Sequence, residues 1–263
     1  MKAREIIGLM DNWASPKLVE DWDNTGFQIG DDNKEVNKIL VALDLDREVY
    51  EKAMREDFNM IITHHPLIFK PIRNVTTSTY KGKLIYDLIR SGIVVYNAHT
   101  NLDQANKGVN DELVRILGLK NSEILKLNNL DEELIHGYGK VGDIDEIHLS
   151  DYIKYIKEKL NTDYLVVYGQ QDRIIKRVAI CGGSGSEFIY DAYKKNAGVY
   201  ITGDVKYHDA QLGNELGLTI IDAGHYHTEK IILPAIKKYL DKENRNNLYI
   251  EVFEKSSPLY RIY

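Results

Sequence analysis

"NKILVALDLDREVYEKAMREDFNMIITHHPLIF", residues 37–69, opens with an apolar run and turns at Asp44 to Asp46. It continues with apolar residues at helical spacing among charges, then closes with a second apolar run. That pattern predicts strand, helix, strand. The second run ends on His64 and His65, followed at once by Pro66. Imidazole terminates a strand poorly, because it buries little apolar surface and brings two nitrogens that need partners. Taken alone, the pair reads as two surface imidazoles, as a hydrogen-bonded core residue, or as ligands, since adjacent strand residues point to opposite faces. Pro66 holds His65 extended and stops the strand there.

The same order of elements recurs downstream. "IKRVAICGGSGSEFIYDAYKKNAGVYITGDVKYHDA", residues 175–210, is again strand, turn, helix, strand, with "IITHH" falling opposite "YITGD". The pieces that follow also correspond, "LIYDLIRSGIVVYNAHTNLD" (84–103) against "AQLGNELGLTIIDAGHYHTE" (210–229). Each is a helix, a strand and then His-x-x-x-acid, so His99 matches His225 and Asp103 matches Glu229. Any two strand-helix-strand units share an apolar pattern, but here polar residues also agree at the same strand ends. The chain is therefore expected to be an α/β protein of internally duplicated strand-helix-strand units, forming two lobes with a metal cleft between them. The division is placed at 1–127 and 128–263, the C-terminal segment being a candidate to return to the first lobe. Residues 134–176 add "LIHGYGKVGDI", a helix capped by Ser150 and a further strand in "DYLVVYG". The nearest thing to a linker is "LKNSEILKLNNLDEE".

Ligand-binding groups in parallel α/β sheets gather beyond the carboxyl ends of strands. His64, His65, Asp103, His225 and Glu229 all fall there. Three imidazoles and two carboxylates exceed one tetrahedral ion with an open position, but suit two ions about 3.5–4 Å apart. Each of the adjacent histidines can then serve a different ion. Such ligands admit Zn, Fe, Mn, Co or Ni. His99 reads as a ligand or as a histidine behind one. His99 and His208 are also the candidates for proton transfer, and His227 lies near by sequence. His136 and His148 read as ordinary. The loop "CGGSGSE", 181–187, either cradles an anion with its backbone N–H groups or is a tight turn. Cys181 reads as a small buried residue rather than a nucleophile.

A net charge of −6 argues against a broad nucleic-acid face. One cysteine excludes an internal disulfide and suits a reducing, cytoplasmic interior. No apolar run reaches the roughly 20 residues of a membrane span, and the start reads as a first helix rather than a secretion signal.

Several motifs resemble the GTP cyclohydrolase I type 2 homologue family, also described as NGG-one-interacting-factor-three-like or as domain of unknown function 34. They are "DWDNTGFQIG", "THHPLIF", "AHTNLD", "GYGKVG", "AICGGSGSEF", "YITGDVKYHDA" and "DAGHYHTE", with "SSPLYRIY" a weaker echo. Phe27 stands where the family pattern has an aliphatic residue. The resemblance spans essentially the whole chain and matches the compact form, since longer members carry an additional central domain. It implies a dinuclear metal site on the same five residues, a toroidal homohexamer, and hydrolytic opening of the GTP imidazole ring. Two divalent ions against two carboxylates would favour a small anionic substrate. The competing expectation is a metal-handling or scaffold protein without turnover.

Overall fold

The computed structural model describes residues 1–128, 135–170, 172–243 and 248–254. The motif "SSPLYRIY" and residues 129–133 of the linker-like stretch lie outside them. The chain divides into two compact units, Met1–Ala105 with the segment from Leu233 onward, and Asn106–Ile232. The division falls earlier than 127 because helix α5 (Val109–Leu117) places Leu113 and Leu117 in the core of the second unit.

The first unit opens with helix α1 (Ala3–Trp13) and contains strands β1 (Gly26–Ile29), β2 (Lys38–Ala42), β3 (Met60–Thr63) and β4 (Val94–Asn97). Helices α2 (Arg47–Arg55) and α3 (Tyr80–Ser91) connect the parallel strands, and the short α4 (Thr100–Gln104) follows β4. Among the described residues the sheet order is β1-β4-β3-β2-β11, where β11 is Tyr249–Val252 and pairs in parallel with β2. Asp46 starts α2 by accepting from the Val49 N–H at 3.0 Å, so the turn seen in the sequence is a helix cap. Leu40, Ile61 and Val95 pack with Val49 and Ala53 of α2 and with Leu84 and Leu88 of α3. The intervening strand residues Val41, Met60, Ile62 and Tyr96 are buried as well. A parallel sheet covered on both faces explains why its strands read as unbroken apolar runs.

The second unit carries β5 (Lys120–Asn128), β6 (His136–His148), α6 (Leu149–Leu160), β7 (Val166–Tyr168) and β8 (Ile174–Ser184). Then come α7 (Ile189–Lys194), β9 (Val199–Gly203), α8 (Tyr207–Glu215), β10 (Thr219–Asp222) and α9 (His225–Glu229). Its sheet order is β5-β6-β8-β9-β10-β7. Val178 and Ile180 face Leu149 and Ile156 of α6, while Ala179 and Cys181 face Ile189 of α7. Cys181 is thus a buried core residue. Helix α6 begins one residue before Ser150, and its N-cap is His148, whose ring pairs with Ser150 Oγ and Asp172 on the surface.

The duplication is visible in hydrogen bonds as well as in element order. Three parallel strands with an antiparallel fourth beside the last occur in both units, as β2-β3-β4 with β1 and as β8-β9-β10 with β7. Thr63 pairs with Asn97, and Thr202 pairs with Asp222. Just beyond, the Ala98 N–H donates to Thr63 O at 3.0 Å, and the Ala223 N–H donates to Thr202 O at 2.8 Å. Ile62 and Ile201 sit at matching central positions and are at most 1% exposed. Truncating either to alanine should cost about 2–5 kcal/mol, read as a lower urea midpoint, because neither rigid sheet can close the cavity.

Candidate functional site

In the first unit, β3 and β4 end side by side and release His64 and His99 into adjacent turns. His64 is fully buried, and its Nδ1–H donates to the Ala98 carbonyl at 2.7 Å. His65 donates from Nδ1 to Asp44 Oδ1 at 2.8 Å. Thr63 Oγ1 donates to the His65 carbonyl at 2.7 Å, which closes the turn at the end of β3. His99 donates from Nδ1 to Asp23 Oδ1 at 2.9 Å. The three imidazoles each bring a ring nitrogen within 4.8 Å of the others'. Asp103, one turn beyond His99 on α4, places Oδ1 3.5 Å from His64 Nε2.

Asp23 is the most heavily engaged acid in this cluster. Its second oxygen accepts from the hydroxyls of Thr25 and Thr100, both at 2.6 Å. Burial alone would raise its pKa, but hydrogen bonds from His99, Thr100 and Thr25 outweigh that and hold it well below the usual carboxylate range. It therefore stays anionic behind His99.

In the second unit, His225 donates from Nδ1 to Asp204 Oδ2 at 2.8 Å, and its Nε2 lies 3.0 Å from Glu229 Oε2 one turn along α9. Glu229 is 3% exposed. The glycine stretch at the end of β8 gives that carboxylate room. Gly183 has φ +64°, and a Cβ there would collide with Glu229 Oε1. The N–H groups of the stretch's three glycines are already used inside the protein. Gly182 donates to Asn110 Oδ1 at 3.1 Å, Gly183 to Thr228 Oγ1 at 3.0 Å, and Gly185 to Thr202 Oγ1 at 2.9 Å. That replaces the anion-cradle reading with a packing role beside Glu229.

The structure therefore groups His64, His65, His99 and Asp103 in one unit, and His225 with Glu229 in the other. His208 is exposed in the first turn of α8, its Nδ1 3.5 Å from Gln211 Oε1. His227 is 4% exposed, between the rings of Tyr164 and Tyr226, and burial depresses its pKa. Sequence reasoning missed Asp23, Asp44 and Asp204 as the acids that fix the histidine rings. The available signal was an acid just past the end of β2 or β9, next to a strand that delivers a ligand. Residues of this kind orient ligating histidines and set their basicity. Asp204→Ala and Asp44→Ala should each weaken metal binding about 10- to 100-fold in competition with a chromogenic chelator, with circular dichroism unchanged.

Comparison with known proteins places the chain in a family. A protein from Clostridium perfringens named GTP cyclohydrolase 1 type 2 homolog is 38% identical, covering 92% of this chain and 94% of the relative. A Lactococcus lactis protein of the same name is 35% identical over the full length of both. Among solved structures, a Bacillus cereus protein related to NIF3 matches with a TM-score of 0.92 at 26% identity, covering 100% of this chain and 99% of that one. The reduced form of HcgD from Methanocaldococcus jannaschii matches with a TM-score of 0.82 at 33% identity, covering 96% and 97%. The family model described as Duf34/NIF3 (NGG1p interacting factor 3) matches residues 1–258, and this chain belongs to that family.

Proposed function

We propose that this chain is a metal-dependent hydrolase of a small heterocyclic or anionic substrate, in which His64, His65, Asp103, His225 and Glu229 hold two divalent ions. The observation that carries the reading is the state of the imidazoles. In His64, His65 and His225 the Nδ1–H is committed to a carbonyl or a carboxylate, which fixes the tautomer with its lone pair on Nε2. This is how proteins present histidine to a metal. Divalent ions held there would polarise the substrate and activate water at neutral pH.

The remaining roles belong to the chain itself. Asp103 and Glu229 supply anionic oxygen donors on the first turn after a strand. His99 can accept a proton at Nε2, and Asp23 stabilises the resulting imidazolium through its bond to Nδ1. The names of the relatives support GTP ring opening as the candidate activity. The charge argument for an anionic substrate is weaker than the sequence suggested. It counts two carboxylates, while Asp23, Asp44 and Asp204 stand one hydrogen bond behind the histidines. A heterocycle is thus favoured over charge alone as the recognised feature.

Non-catalytic metal handling is the second reading, because a cluster of imidazoles and carboxylates able to hold an ion needs no proton carrier to do so. Formate release from GTP, followed after loading with Zn, Mn, Fe, Co or Ni, separates the two. Metal-dependent turnover that His64→Ala abolishes is the expected result. Retained metal with no turnover of GTP, phosphoesters or cyclic amides would establish the second reading. Elemental analysis of dialysed protein should find about two ions per chain in the parent and in His208→Ala, and at most about one in Glu229→Gln.

A further inference from the structure

Next to His99 the first unit exposes two large aromatic side chains that its core does not need. Trp22 is 60% exposed and Phe69 is 38% exposed. Their rings meet edge to face at 6.0 Å and 71°. Each also meets the His99 ring, Trp22 at 6.3 Å and Phe69 at 6.2 Å, both at 83°. Three rings nearly perpendicular to one another form a corner with an open aromatic face.

Two loops hold this corner, and hydrogen bonds lock them together. Asn24 Nδ2 donates to the Ile68 carbonyl, and the Ile68 N–H donates to Gln28 Oε1 at 3.0 Å. Asp23, the residue after Trp22, grips His99 and Thr100. The segment that presents Trp22 is therefore the segment that orients His99. A mobile surface tryptophan would have no use for such anchoring. Leaving it solvated also forgoes a large apolar burial, a cost a binding face can recover when a ligand covers it.

We propose that Trp22 and Phe69 form a stacking platform for a planar heterocyclic ring, such as a nucleobase, and set substrate specificity beside His99. A planar ring suits the site better than a compact organic cation. It can lie flat on the indole while its edge meets the other rings, and exposed Lys70 and Arg73 follow Phe69 in the chain. This deepens the proposed function and rests on it only for the position of the reacting centre.

The test is equilibrium binding of guanosine, adenosine, GTP, ribose 5-phosphate and tripolyphosphate to metal-loaded protein by calorimetry, with metal content and oligomeric state recorded for every variant. Guanosine or adenosine should bind the parent, and Trp22→Ala should weaken that binding at least about tenfold, with Trp22→Phe restoring most of it. Phe69→Ala should weaken it in the same direction. Metal content should be unchanged in all three variants. Nucleoside binding that persists without turnover upholds the platform while the hydrolase reading falls. Equal nucleoside affinity in parent and Trp22→Ala would overturn it. So would ring-free tripolyphosphate binding as tightly as GTP, or a changed oligomeric state with unchanged affinity, which would make the corner a contact between copies of this chain.

Discussion

His64 is fully buried, and its Nδ1–H reaches the carbonyl of Ala98, the residue whose own N–H donates back to Thr63. This reciprocal pair of bonds joins the end of β3 to the end of β4. An imidazole with no access to water must have its donor satisfied inside the protein. That need fixes the ring plane and directs Nε2 at Asp103. Slipping β3 against β4 would break the strand register and leave the ring donor misplaced. The parallel sheet with its two covering helix layers is what makes such a bond affordable, because Ile61 and Val95 hold the two strands in register through the core.

Much of this was legible in the chain. Apolar runs of strand length, separated by one amphipathic helix each, led directly to parallel sheets. The matched polar residues after "IIT" and "YIT" led to the duplication. Residues that end a strand are read easily because the pattern stops at them. Asp23, Asp44 and Asp204 were illegible for the opposite reason. Each lies in an irregular segment with no period, and its partner histidine is between 21 and 76 residues away. The glycine loop stays ambiguous in the sequence because its spacing fits both an anion cradle and a tight turn. Only the three-dimensional neighbours of Gly183, above all Glu229, distinguish them. The placement of the unit boundary also needed packing, since α5 looks like a continuation of the first unit until Leu113 and Leu117 find their partners.

The aromatic corner shows how one short segment can serve two ends. "DWDNTGF" carries an acid that fixes His99 and, beside it, an indole turned to solvent. Rigid support behind an exposed ring lowers the ordering cost of whatever stacks there. The acid that orients His99 and the exposed indole are thereby carried on neighbouring backbone atoms.

The two halves of the repeat have parted in a way that their backbones now enforce. The position matching His64 is Gly203, where a Cβ would fall 2.6 Å from the backbone nitrogen of His225. The position matching His65 is Asp204, which holds an imidazole in place instead of being one. The second half therefore has no room for a side chain where the first carries its buried histidine. In the present protein each half has become irreplaceable by the other: a chain built from two copies of the first would hold two double-histidine turns and lack the enclosed glutamate altogether.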